Sequence, residues 1–164
     1  MRQLQSEPSL SIPSREQLAV WRTFLEAAFA LIDILDAELQ EEQAISLRWY
    51  DVLVHLEDAE HGIRMNELAS RILASKSGLT RVIDRMEEAG LVERRRPAHD
   101  RRAIEIVITP TGQTTLTNAR RVHRRGVNEH FAQHLSKRDF DALARALNKV
   151  RMHVRPLRPG RISA

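Results

Sequence analysis

The sequence predicts a mainly α-helical α+β chain, with a compact centre of short helices and one β-hairpin between long flanking helices. Three observations carry this. Apolar residues recur at helical spacing along most of the 164 residues. One short stretch, Ile104, Ile106 and Ile108, alternates at period two instead. The charge is also divided: residues 1–66 hold 5 basic and 12 acidic side chains, residues 67–119 hold 9 and 7, and residues 120–164 hold 12 and 3. A chain of this size buries roughly 70% of its unfolded surface, enough for a core without covalent staples.

Residues 1–14 read as a disordered arm, polar and carrying Pro8 and Pro13. Ser14 then stands three residues before Gln17, the spacing of a capping box. Leu18, Trp21, Phe24, Leu25, Ala28, Leu31, Ile32, Leu35 and Leu39 mark one face of a long helix over residues 15–45. No glycine or proline interrupts Arg15 to Gln43. A second helix runs from about Ser46 to Ala59 and ends at His61-Gly62. A short helix, Met65 to Leu73, is entered through Arg64. After a turn at Ala74-Ser75, Ser75 can cap a helix over Lys76 to Ala89, closed by Gly90.

From Leu91 the chain is extended. Leu91 to Arg96 and Ile104 to Ile108 form two strands joined by a basic tip, Pro97 to Arg102. Such a hairpin needs a helix to lie on. Thr109-Pro110-Thr111-Gly112 opens a long helix to about Leu135, in which Gly126 marks a close crossing or a bend. Ser136 with Asp139 restarts a helix through Val154, and residues 156–164 are a basic, flexible tail. The apolar stripes of the flanking helices, residues 15–45 and 110–155, exceed what the unit at 46–109 can cover. A second copy of the chain is the simplest partner, so these helices are expected to form a homodimer.

Composition excludes several functions. Without cysteine there are no disulfides, thiolate metal sites or thiol nucleophiles. The longest apolar run, Ala27 to Ile32, is far short of a membrane span, and the first residues lack the apolar core of a signal peptide. A cytoplasmic protein, nucleoid-associated when bound to DNA, is expected, with no membrane partner. An aromatic content of 4% argues against stacking platforms for single strands or RNA. Among 26 cations only Lys76, Lys137 and Lys149 are lysine, and arginine forks phosphates and base edges. Arginine-rich coding and solvated faces explain the same bias. No nucleophile elbow or phosphate-cradling glycine loop is present, so no enzyme is expected. His130 and His134 lie four apart on a helix, with Glu129 as a third possible ligand. Exposed or interface histidines are the simpler reading, and neither a metal nor a cofactor is expected.

Met65 to Ala89 reads as two helices joined by a tight turn, the helix-turn-helix arrangement whose second helix enters the major groove. Ser77 and Thr80 are short enough for close approach, and Arg81 can reach a guanine edge with two hydrogen bonds. The start of this helix suits a phosphate. A plain surface helix would look much the same. The basic hairpin behind it tips the balance, because a hairpin there is a wing. Asp100 can hold its tip while a neighbouring arginine reaches the narrow minor groove.

Asn66-Glu67-Leu68-Ala69, Ser75 to Arg81, Asp84-Arg85-Met86-Glu87, Gly90 to Arg94, Asp100-Arg101-Arg102 and Thr109 to Gly112 resemble the winged helix-turn-helix core of the multiple antibiotic resistance regulator (MarR) family. The resemblance follows element order over residues 15–154 and is specific over 64–112. It implies a homodimeric transcriptional regulator, usually a repressor and occasionally an activator, bound to double-stranded DNA at a pseudo-palindromic operator. It also implies dimerisation through the first and last helices, and release of DNA by a small aromatic or phenolic effector. By position, Arg102 would be the minor-groove arginine and Asp100 its organiser. Ser75, Ser77, Thr80 and Arg81 would be recognition-helix contacts, Lys76, Arg85 and Arg101 phosphate contacts, and Asn66 a cap that meets the backbone. Arg94 and Arg95, in a triple arginine more basic than the family requires, would add affinity for DNA. Gly78 departs from the family, where a side chain often stands. Trp21, Trp49, Tyr50 and His55 are candidates for lining an effector pocket, although such residues also build cores. A winged-helix interaction module that has lost specific DNA binding is the alternative. Its basic surface would be expected to be lost, whereas here Arg81, Arg94 to Arg96, Arg101 and Arg102 are kept.

Overall fold

A computed structural model describes residues 12–59, 62–72, 78–96 and 103–154. The capping box at Ser14 forms as its spacing predicts: the Gln17 amide donates to Ser14 Oγ at 3.1 Å and the Ser14 amide to Gln17 Oε1 at 2.8 Å. It starts α1 (Arg15–Gln43), which ends on Ala44 in a left-handed conformation (φ 54°). Asp36 near the end of α1 accepts from the Leu47 amide at 2.7 Å, and Ser46 accepts from Trp49. Those two acceptors satisfy two of the free N–H groups that open α2 (Leu47–Glu57).

A short strand, β1 (Ile63–Arg64), precedes α3 (Met65–Arg71), and α4 (Leu79–Glu88) follows. β2 (Val92–Arg95) and β3 (Glu105–Ile108) form the predicted hairpin. β1 adds to its far edge, giving an antiparallel sheet of order β1-β3-β2, with Ile63 opposite Ile106 and Val92 opposite Ile108. At two residues, β1 is too short to show a period, and Arg64 reads in sequence only as the start of a helix. Of the three isoleucines expected on one face, Ile106 is fully buried and Ile108 partly so, while Ile104 precedes β3 and is 46% exposed.

The core draws one side of every central element together: Val52, Leu53 and Leu56 from α2, Leu68 from α3, Ile83 and Met86 from α4, Ile106 from β3 and Leu116 from α5 (Pro110–His130). Pro110 opens α5 at the position where its missing N–H costs nothing. Thr109 Oγ1 accepts from the Gly112 amide at 3.0 Å and donates to the Gly90 carbonyl at 2.6 Å, joining the turn before the sheet to the helix after it. Glycine is required at 112, since a Cβ there would lie 2.1 Å from the Leu91 carbonyl oxygen. Gly126 marks a close crossing, with Leu35 and Glu38 of α1 against it.

α5 ends at His130, earlier than its pattern suggests. A 3-10 turn at Ala132–His134 leads to α6 (Lys137–Val154), where Ser136 and Asp139 cap each other's amides. No residue of α6 is buried, and α1 buries Leu39 alone. Val20, Trp21, Phe29, Val150 and Met152 are all more than half exposed, and an open apolar groove runs between Phe24 and Leu31 of α1 and Leu143 and Leu147 of α6. No helix among the described residues is long and apolar enough to cross a membrane.

Candidate nucleic-acid interface

Recognition requires a helix with one face locked in the core and the other free. In α4, Leu79, Ile83 and Met86 are buried, while Thr80, Arg81 and Arg85 are exposed. Arg81 and Arg85 are four residues apart and so share a face. Asn66 is exposed in the first turn of α3. No side chain caps α3: Arg64 holds the cap position, so Asn66 does not serve there as the sequence suggested.

α4 starts three residues later than expected. Its N-cap is Gly78, at φ 83°, a conformation that side chains with a Cβ rarely adopt. That backbone accounts for the glycine where the family often carries a side chain. Among the described residues the nearest atom to an added Cβ is Arg48 Nη1 at 4.0 Å, so there the backbone angle rather than crowding favours glycine. Ser75, Lys76 and Ser77, and at the wing tip Asp100, Arg101 and Arg102, lie outside the described residues.

The triple arginine divides. Arg94, expected on DNA, turns back onto α4 instead. Its Nη2 is 2.5 Å from Asp84 Oδ1, its Nη1 pairs with Glu87, and its amide donates to Glu87 Oε1 at 2.9 Å. With 26% of its side chain exposed, it clasps β2 to α4 and fixes the wing relative to the helix. The pattern of the sequence could not show this, because Asp84 and Glu87 look like ordinary solvated charges on α4. Arg95 is exposed and pairs with Glu93 at 2.5 Å, an arrangement that solvent weakens. Arg48, which the sequence reading passed over, is a half-buried cation of α2 brought beside the start of α4.

The proposed effector residues occupy separate surroundings. Trp21 is 55% exposed on α1, in a groove with Pro13, Gln17 and Leu18. Trp49 packs against the core. Tyr50 stacks on His123 of α5 with ring centroids 4.6 Å apart, and His55 sits 3.6 Å from Asp51 one helical turn away. Trp21 shares its groove with none of the other three. Burial raises the Tyr50 hydroxyl above its usual pKa and lowers His123 below its own, so both rings are neutral near pH 7. Below them Arg120 forks Glu57 at 3.2 and 2.5 Å, and Gln113 donates to the same carboxylate at 2.8 Å. The hydrogen bonds from Arg120 are the largest cause of a lowered Glu57 pKa. This polar cluster ties α2 to α5 and so joins the central unit to the flanking helices.

Comparison with known proteins places these features in one family. Residues 45–103 match the sequence profile described as MarR family. The transcriptional repressor MprA of Escherichia coli (strain K12) is 31% identical over 80 residues, 48% of this chain and 46% of MprA, so the match spans about half the length of that curated relative. Among solved structures, AbsC, a MarR family transcriptional regulator from Streptomyces coelicolor, is 33% identical with a TM-score of 0.80, over 89% of this chain and 99% of AbsC. Sco3205, a MarR family transcriptional regulator from the same organism solved in complex with DNA, is 27% identical with a TM-score of 0.81, over 91% of this chain and 92% of its own. With a third of its residues shared along nearly the whole of AbsC, and with the winged-helix framework intact, the chain belongs to the MarR family of transcriptional regulators.

Proposed function

We propose that two copies of this chain bind a pseudo-palindromic site in double-stranded DNA and repress transcription from it. The observation that carries the reading is the division of α4, whose apolar face is locked in the core while Thr80, Arg81 and Arg85 stand exposed beside a hairpin clasped to the same helix. On DNA, Thr80 and Arg81 read base edges in the major groove together with Ser75 and Ser77. Lys76, Arg85 and Arg101 meet phosphates, and Arg102, organised by Asp100, enters the minor groove. Asn66 and Arg95, both exposed, add contacts to the DNA backbone, whereas Arg94 acts from behind as a clasp.

The second copy covers the apolar faces of α1 and α6. Those faces are continuous across both helices, and a two-fold pair places two recognition helices about 34 Å apart, one turn of DNA. The repressor sense follows MprA, which is named a transcriptional repressor. The Sco3205 complex supports DNA as the partner. Release by a small aromatic or phenolic effector belongs to the same reading, with Tyr50, stacked on His123 of α5, as the candidate lining residue best placed to respond.

Selection of bound fragments from random DNA, repeated with phenolic compounds present, tests this. An inverted repeat is expected, enriched without the compounds and depleted with them. Recovery of unrelated sequences would remove specific recognition and favour an interaction module. An inverted repeat indifferent to every compound would remove the effector alone.

A further inference from the structure

Apart from the DNA-facing surface, a group of metal-ligating side chains gathers where α1 crosses α5. We propose that Glu38, Glu129 and His130 form a binding site for a divalent transition-metal ion of the zinc class. Their candidate ligand atoms all lie within 4.8 Å of one another, and His130 Nε2 is 2.6 Å from Glu38 Oε1. Bonds of 2.0–2.2 Å in a tetrahedral site hold ligand atoms about 3.3 Å apart, so modest rotamer changes convert one arrangement into the other. Sequence spacing pointed to His130 and His134. The fold substitutes Glu38, 92 residues away, for His134, whose Nε2 is engaged by the Glu129 carbonyl at 2.8 Å.

Two further observations favour an ion over a simple histidine–carboxylate pair. Glu38 Oε2 is buried and has no hydrogen-bond partner among the described residues, a state that a bound ion or water usually explains. The pair with His130 accounts only for the other oxygen. Room for the carboxylate is also built into the backbone: a Cβ on Gly126 would come within 2.3 Å of Glu38 Oε2. Glycine at 126 therefore lets the carboxylate lie against α5, one turn before Glu129 and His130. Arg125 forks Glu42 and also lies 4.0 Å from Glu129, so an ion would compete with one guanidinium at the edge of the cluster. One imidazole with two carboxylates suits zinc, cobalt or nickel, while magnesium and calcium prefer all-oxygen sites. Glu129 is about half exposed, which leaves a fourth position open to water.

The full chain, stripped with EDTA and dialysed, is titrated with Co2+ and then with Zn2+. One Co2+ per chain is expected, with visible d–d absorption that Zn2+ abolishes, and Zn2+ should raise the melting temperature. Glu38→Gln and Glu129→Gln should each weaken Co2+ binding at least tenfold, while His134→Ala leaves it unchanged. Circular dichroism in EDTA checks the fold of each variant, and the half-exposed position of Glu129 makes its variant the safer one. Absence of saturable binding would overturn the site. So would loss of binding in His134→Ala with retention in both glutamine variants.

Discussion

Arg81 and Arg94 are thirteen positions apart and both are cations of the central unit, yet their surroundings assign them different roles. Arg94 is held by Asp84 and Glu87, and Arg81 is exposed on α4. Arg94→Gln should lower stability by about 1 kcal/mol after allowance for partial exposure, and should weaken DNA binding with little change in its salt dependence. Arg85→Ala should leave the melting temperature nearly unchanged and reduce the slope of log K against log salt by about one contact per chain. Thermal melts and binding isotherms at several salt concentrations separate the two. His123 gives a second residue-scale prediction. Its pKa is lowered by burial, so the unfolded chain binds more protons below about pH 6.5, the unfolded value. The stability contributed by the neutral stacked ring is present above that pH and is lost as the pH falls toward the lowered folded value. Urea unfolding at pH 7.5 and 5.5 should show a smaller loss in His123→Phe, which keeps the stack on Tyr50 without the titration.

At the scale of elements, the close approaches decide how the sheet meets the helices. Gly112 lets the first turn of α5 touch the Leu91 carbonyl. Gly112→Ala must push α5 away from the sheet, at a cost of about 1–3 kcal/mol and an earlier denaturant midpoint. The flanking helices were legible because their apolar residues repeat over many turns and their ends carry standard caps, as at Ser14 and Thr109. The hairpin was legible from Ile106 and Ile108 with a basic tip before them. Three features were not. β1 has two residues and acquires its identity only by pairing with β3. The start of α4 depends on the left-handed backbone of Gly78, which a serine cap upstream concealed in the pattern. The clasp of Arg94 reaches back across the turn between α4 and β2, and Glu38 meets His130 from 92 residues away; no helical or strand period records either. Residue types on α4 thus indicated which face could reach DNA, but only the packing showed which arginine was already engaged.

At the scale of the whole molecule, the exposed apolar faces of α1 and α6 are the feature one chain cannot explain by itself. Burying apolar surface contributes about 25 cal/mol per Å2, whereas exposed ion pairs contribute little, so the pairing of two copies should depend on these faces rather than on the acidic first segment meeting the basic last one. Leu147→Asp, placed in the α1–α6 groove, should shift the chain toward monomer in analytical ultracentrifugation. Added salt should leave the parent dimer largely intact. A dimer that Leu147→Asp preserves and moderate salt dissolves would reverse that ranking.

The central claim is that a pair of chains reads DNA through two copies of α4. Its most direct measurement is sedimentation of the full chain with a duplex carrying the selected site, with a scrambled duplex as control and at two salt concentrations. The account predicts two chains per selected duplex, affinity that falls steeply with salt, and loss of the preference over scrambled DNA in Arg81→Ala. Equal binding of both duplexes by the parent chain, or a preference that Arg81→Ala leaves intact, would contradict it.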